Sequence, residues 1–492
     1  MIFMLRWLRR VAVLAAIVLV TLVVGRAVGS RGMPDLRLWH TVMLRSEVQA
    51  RDLGPQITLA DYLRREDAVF QELRQRVFDV VPAPDRVATS RYTKGGPLDP
   101  ATFQRDWNRT FELEPAGPAG GVRGGALLIH GLTDAPYSMR PLARTFAGAG
   151  FYALALRMPG HGTVPSGLVQ AEWEDWMAAV RVGVRAVRAK IGPGKPLYLV
   201  GYSNGAALVM KYSLDALEDN SLPRAERLVL LSPMIGVSPF AAAARLMSRL
   251  GGIPYFEKSR WLDDLPEYIP FKYNSFPTNA AFQTYRLTSA LSQEIAHAVD
   301  SGSIRDLPPV LAFQSLVDAT VSTRATVHGL FDHLESNGSE VVLFDLNRAI
   351  GIEPFLGVKP EEAIAELFSA RTHRFRATLI TNEGSGSRTV REETLPAGST
   401  QSSVKSLDLA WPEQVFSLSH LALPFPMSDP LYGLTPDRSE NYGVRIGLML
   451  PRGERSVLLI GSDAITRLYC NPFFPYVEQR VRDWIASGTA IQ

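Results

Sequence analysis

From Gly124 onward the sequence predicts an α/β fold: a mostly parallel sheet with helices on both faces. Short apolar runs alternate with stretches of helical character, the pattern of strands joined by helical crossovers. Chemically capable residues stand directly after those runs, and open parallel sheets place their sites outside the carboxyl ends of the strands. Composition sets the bounds. Of 492 residues, 46% are hydrophobic and 21% charged, ordinary globular usage that excludes a disordered chain, a collagen or a many-span transporter.

The elements follow in order. Ala126 to Ile129 is the first strand and runs into His130-Gly131. Met139 to Gly148 is helical, and Tyr152 to Leu156 is a second strand that ends near Pro159-Gly160-His161-Gly162. Trp173 to Ala189 reads as a helix and Pro196 to Val200 as a third strand. Leu228 to Leu231, Val310 to Phe313 and Val341 to Phe344 continue the series. Lys plus Arg (52) against Asp plus Glu (49) leaves a net charge of +3, too balanced to suggest a nucleic-acid partner. The single cysteine, Cys470, excludes an internal disulfide framework and a Cys-rich zinc site. Without H-E-x-x-H, a Walker loop or a dinucleotide fingerprint, no metal and no organic cofactor is expected.

Four segments flank or interrupt this core. In residues 1–30, Arg6, Arg9 and Arg10 precede an apolar run from Val11 to Gly25, and Arg26 closes it. A helix of that length spans roughly 22 Å, short of a ~30 Å hydrocarbon core, but flanking arginines can snorkel. The expectation is a membrane anchor with the rest of the chain exported; the alternative is a signal peptide cleaved near Ala27-Val28-Gly29. Residues 31–120 read as an extension: helix hints at Leu36 to Leu44 and Tyr62 to Val80, then turns from Pro82 to Gly121. Residues 121–492 form the α/β domain, with one insertion at about 233–300 and another at about 346–410. The first holds an amphipathic stretch, Phe240 to Leu250, and a crowd of aromatics from Tyr255 to Phe276.

The chemistry starts at Gly201-Tyr202-Ser203-Asn204-Gly205, with a strand before it and a helix after it. The serine needs a tight, strained turn to stand above the sheet, and glycines two positions either side let backbone approach closely. A serine hydroxyl requires an aligned base, and the chain order is nucleophile, acid, histidine. Asp318 follows the Val310–Phe313 strand and is the candidate acid, with a helix N-cap as its structural alternative and Asp345 as runner-up. His420 follows Val415 to Ser419 and is the candidate base. His328 and His333 fall within a helix, and His373 is expected on a solvated segment. Two N–H donors are needed for an oxyanion, and the candidates are Asn204 and Leu132. His130 is expected to be structural.

On these residues the chain resembles serine hydrolases of the α/β-hydrolase superfamily. The similar branch holds monoglyceride lipases, lysophospholipases, small carboxylesterases and serine-aminopeptidase-like proteins. The resemblance rests on His130-Gly131-Leu132-Thr133, Pro159-Gly160-His161-Gly162, Gly201 to Gly205, Asp318 and His420, and extends to Glu172-Trp173-Glu174-Asp175-Trp176. It implies carboxylic-ester hydrolysis by Ser203, His420 and Asp318 through an acyl-enzyme. It also implies a cap at 233–300 over the site, whose aromatics would line an acyl pocket; a locally packed subdomain is the equal alternative. An acyl lipid or other hydrophobic ester is the expected substrate. Acyl transfer, prolyl aminopeptidase-like cleavage and a silent scaffold are the other readings.

Overall fold

Strands that are apolar along their whole length can exist only where helices cover both faces of the sheet. The computed structural model describes residues 34–116, 121–236, 256–318, 320–351, 359–368, 372–413, 415–448 and 466–489, with Leu356 and scattered positions before residue 34. Its strands are β1 (Phe111–Leu113), β2 (Gly124–Ile129), β3 (Phe151–Leu156), β4 (Leu197–Tyr202), β5 (Arg227–Leu231), β6 (Trp261–Asp263), β7 (Phe276–Pro277), β8 (Val310–Ser315), β9 (Glu340–Phe344), β10 (Arg376–Asn382), β11 (Thr389–Leu395), β12 (Ser403–Ala410), β13 (Val415–Leu418) and β14 (Thr466–Leu468). Ten of them form one sheet in the order β1-β3-β2-β4-β5-β8-β9-β10-β11-β12. From β3 to β10 every pairing is parallel. The crossovers of this core place the segments that follow β2, β4 and β8 on one rim.

The period of two in each strand decides which layer a side chain joins. Leu127 and Ile129 of β2 pack with the helices α3 (Trp173–Ile191), α4 (Asn204–Glu218) and α5 (Thr278–Ser301). Ala126 and Leu128 face the other way, toward α2 (Arg140–Gly148) and α6 (Phe474–Thr489). The expected strands and helices are thus found, with α5 added inside the 233–300 stretch. Phe240 to Leu250 lies outside the described residues, so the helical cap is not among the features described. Of the described aromatics in that stretch, Phe271 stacks on Tyr137 with ring centroids 4.5 Å apart, Tyr273 is buried beside α5, and Trp261 packs edge-on against His40 at 4.7 Å.

Residues 346–410 differ from expectation. The sequence reads there as an insertion into the α/β domain. Instead β10 continues the parallel sheet beyond β9, and β11 and β12 extend it as antiparallel strands. The chain then leaves β12 for the separate β13–β14 pair, which leads into His420. The extension at 34–116 also joins the sheet, since β1 pairs antiparallel with β3. Its longest helix is α1 (Leu59–Leu73), capped by Thr58, which accepts from the Asp61 N–H. Arg157, buried at the end of β3, reaches back to Glu47 at 2.5 Å and fixes the extension to the rim. Most of Val11–Gly25 lies outside the described residues; among the described residues no helix is long and apolar enough to cross a membrane.

The stretch after His420 is held by a buried ionic network. Arg140 of α2 is 2% exposed and Asp429 1%, at 3.3 Å. Asp429 also accepts from the Tyr137 hydroxyl (2.8 Å) and from the Leu431 and Tyr432 N–H groups. Arg140 also pairs with Glu440, but removing Asp429 takes the acceptor from the buried Tyr137 hydroxyl and two backbone N–H groups, at ~1–3 kcal/mol each. Asp429→Ala should therefore lower the thermal unfolding midpoint well beyond an exposed control such as Asp408→Ala, as read by calorimetry.

Candidate active site

The site begins with a strained residue. Ser203, between β4 and α4, has φ 55° and ψ −116°, a region costly for a side-chain-bearing residue. Close packing enforces it. A Cβ on Gly205 would lie 2.2 Å from the Ile129 carbonyl oxygen, and one on Gly201 would lie 2.5 Å from Ala206 Cα. Only glycine fits at either place. The Ser203 N–H is bound by Leu231 O at 2.9 Å, tying the turn to β5. The hydroxyl thus stands at the carboxyl end of the sheet, at the N-terminus of α4.

The structure brings Ser203, His420 and Asp318 into one hydrogen-bonded chain. Ser203 Oγ is 2.9 Å from His420 Nε2 across 217 residues of sequence. His420 Nδ1 is 2.8 Å from Asp318 Oδ2. A charged carboxylate can only accept, so Nδ1 carries the proton and Nε2 is free to accept from the serine hydroxyl. β13 delivers the imidazole: it ends at Leu418 and pairs in parallel with β14. The Tyr202 ring lies stacked against the His420 ring, with centroids 5.7 Å apart. The His420 side chain is 10% exposed and that of Asp318 fully buried.

Asp318 has two jobs at once. Oδ2 takes the imidazole, while Oδ1 accepts from the Thr320 and Val321 N–H groups at 2.8 and 3.0 Å. The expected alternative, an N-cap, falls to Ser322, which accepts from Ala325 N–H. Burial pushes the Asp318 carboxyl upward, but the neighbouring imidazole charge and these hydrogen bonds outweigh it and hold it below its ordinary value. Asp345, the runner-up acid, is engaged elsewhere by Arg348 and the Thr381 hydroxyl. His328 pairs with Asp332 and Glu366. His373 is a correction: rather than solvated it is buried, with Nε2 3.0 Å from Leu367 O. The polar context concealed that: the neighbouring Thr372 and Arg374 are exposed while His373 turns inward.

The loop expected to face an oxyanion is a turn after β2. Gly131 O accepts from Asp134 N–H at 3.3 Å, which encloses Leu132 and Thr133. A Cβ on Gly131 would sit 3.3 Å from Ser203 Cβ, so the turn lies directly against the serine. Asn204 opens α4, so its N–H has no acceptor within the helix. No hydrogen bond of the Leu132 N–H occurs among the described residues. His130 is structural, as expected: Nδ1 donates to Gly131 O and Nε2 accepts from Met158 N–H. Burial pushes its pKa down to about 3.

Sequence reasoning missed the groups that hold this turn. Thr133 has φ 61°; its carbonyl accepts from Tyr273 N–H at 2.8 Å and its hydroxyl from Lys272 Nζ at 2.6 Å. Lys272 lies in an aromatic-rich stretch with no motif, so nothing in the sequence marked it. Beside it, buried Asp134 is pushed up to about 6 by burial, against the pull of Lys272, Ser138 and His420. Among the described residues no cluster of three or more metal-ligating side chains occurs.

A folded-state carboxyl held below its unfolded value stabilises the protein above that unfolded value, ~4, and loses this as pH falls through the lower folded one. The gap in unfolding midpoint between wild type and Asp318→Asn should be wide at pH 7 and should shrink below about pH 4. A gap independent of pH would contradict the charged role.

Residues 121–346 match the family model described as serine aminopeptidase, S33. A thermostable monoacylglycerol lipase from Bacillus sp. (strain H-257) is 26% identical over 225 residues, covering 44% of this chain and 79% of that protein. Among solved structures, one from a study of the metagenome-derived lipolytic enzymes LipS and LipT is 21% identical, with a TM-score of 0.37, over 49% of this chain and 88% of that one. A monoacylglycerol lipase of Paleococcus ferrophilus is 19% identical, with a TM-score of 0.36, over 48% and 88%. Over residues 121–346 the chain is thus similar to the serine aminopeptidase, S33 family of hydrolases and to a monoacylglycerol lipase.

Proposed function

We propose that the protein is a serine carboxylic-ester hydrolase acting through an acyl-enzyme on acyl lipids or other hydrophobic esters. The observation that carries this reading is the continuous Ser203–His420–Asp318 hydrogen-bond chain at a strained strand-to-helix turn. Ser203 Oγ attacks the ester carbonyl carbon as its proton passes to His420 Nε2. Asp318 keeps the imidazole in the accepting tautomer and stabilises the imidazolium that forms. The carbonyl electron pair moves onto oxygen, which the Leu132 and Asn204 N–H groups receive. Collapse expels the alcohol, which takes the proton from His420. Water then repeats the sequence on the acyl-enzyme and releases the acid.

The monoacylglycerol lipase among its relatives supports an acyl-ester substrate. The serine aminopeptidase description of the matching family keeps amide cleavage as the second reading. Arg6, Arg9 and Arg10 ahead of the apolar Val11–Gly25 run support a tethered, exported enzyme. Such a tether would hold the site beside its hydrophobic substrate.

Ser203→Ala should abolish fluorophosphonate labelling and lower ester turnover by ~10³-fold or more. His420→Ala should behave alike, whereas His373→Ala should keep wild-type catalysis in the folded fraction. Monoacylglycerols should be cleaved over N-terminal prolyl peptides by the purified protein; the reverse preference would favour the aminopeptidase reading. Added alcohol should not divert most of the acyl group from water, as measured by product ratio. In cell fractionation the full chain should sediment with membranes, and a chain begun at residue 31 should not.

A further inference from the structure

The segment from Leu265 to Ser275 is a strap folded on itself. Glu267 accepts from the Asn274 and Ser275 N–H groups at 3.0 and 2.8 Å. The Asn274 side chain in turn accepts from Tyr268 and Ile269 N–H. The strap then touches three parts of the molecule. Toward the N-terminal extension, Arg91 N–H donates to Glu267 O, and Asn108 donates to Pro270 O. Toward Pro159-Gly160-His161-Gly162, the Tyr273 hydroxyl donates to Gly160 O at 3.0 Å and accepts from Thr163 N–H at 2.7 Å. Toward the turn beside Ser203, Tyr273 N–H and Lys272 Nζ grip the carbonyl and hydroxyl of Thr133.

Thr133 is where such a grip matters. It is a β-branched residue at φ 61°, a conformation it does not hold unaided. Its neighbour Leu132 presents the N–H assigned to the oxyanion. If Thr133 relaxed to negative φ, the Leu132–Thr133 peptide would rotate and the turn would move from its packing against Ser203. Burial pushes the Lys272 pKa down, against the pull of Asp134 and Glu267.

We infer that Lys272 is a positioning residue for the oxyanion turn: its ammonium holds Thr133, and through Thr133 the Leu132 N–H, in the geometry that receives the carbonyl oxygen as it becomes negative. This inference rests on the ester-hydrolase reading with Leu132 as donor. The oxyanion exists only in and around the transition state, so loss of the grip raises the barrier without weakening substrate binding.

The test is steady-state kinetics on a soluble ester with Lys272→Met, Lys272→Arg, Thr133→Val and the Lys272→Met/Thr133→Val double variant. Lys272→Met should lower kcat by about tenfold or more, less than deletion of an oxyanion donor itself, while KM stays within about twofold. Lys272→Arg, which keeps a cationic donor, should recover most of the loss. Thr133→Val should match Lys272→Met, and the double variant should be no worse than either, since both remove one hydrogen bond. The rate of Ser203 phosphonylation should fall in step with kcat. An unchanged kcat in Lys272→Met, a change confined to KM, or additive losses in the double variant would overturn the inference. Should Lys272→Met fail to fold, Lys272→Arg and Thr133→Val carry the same comparison. Hydrolysis persisting in Ser203→Ala would instead reject the underlying reading, whatever Lys272 does.

Discussion

A single hydrogen bond between Ser203 and His420 sets the terms for the rest of the structure. Its partners are 217 residues apart, and in the proposed hydrolysis the proton it shares passes in either direction. A displacement of the order of 1 Å at such a contact costs catalysis heavily. Everything that fixes the two side chains therefore counts: the glycine-enforced turn on one side, the β13–β14 pair and the buried Arg140–Asp429 network on the other. Neither partner is held by the catalytic contact itself, so the geometry exists before substrate arrives.

The N-terminal extension acquires a physical role from the same constraint. It adds the edge strand β1, anchors to Arg157 through Glu47, and braces the strap through Arg91 and Asn108. The strap in turn holds Thr133. A chain of packed contacts thus runs from a segment without recognisable chemistry to the turn that packs against Ser203. Burial has a second consequence here. Burial pushes the Asp134 and Glu267 carboxyls up and the Lys272 amine down, and the Lys272 charge pulls against the rise at Asp134.

Legibility in the sequence followed the source of each constraint. The core strands were readable because both faces are buried and their apolar runs are unbroken. Ser203 was readable because close backbone packing demands glycine at fixed positions, leaving a local signature. Asp318 and His420 could be placed only by their order after apolar runs. The β10–β12 extension was missed for the opposite reason. Thr-Val-Arg-Glu-Glu-Thr-Leu of β11 and the exposed β12 lie at the edge of the sheet, where charged residues blunt aggregation and imitate a loop. Lys272 and the burial of His373 depend on tertiary contacts with no fixed spacing, so no local pattern could mark them.

The account stands or falls on where the tetrahedral oxygen goes. A crystal structure of the protein inactivated with an alkyl fluorophosphonate would measure this directly. The account predicts phosphorus bonded to Ser203 Oγ, with the phosphoryl oxygen within hydrogen-bond distance of the Leu132 and Asn204 nitrogens and His420 still against Asp318. A phosphoryl oxygen turned away from both amides, or an adduct on any other side chain, would contradict it.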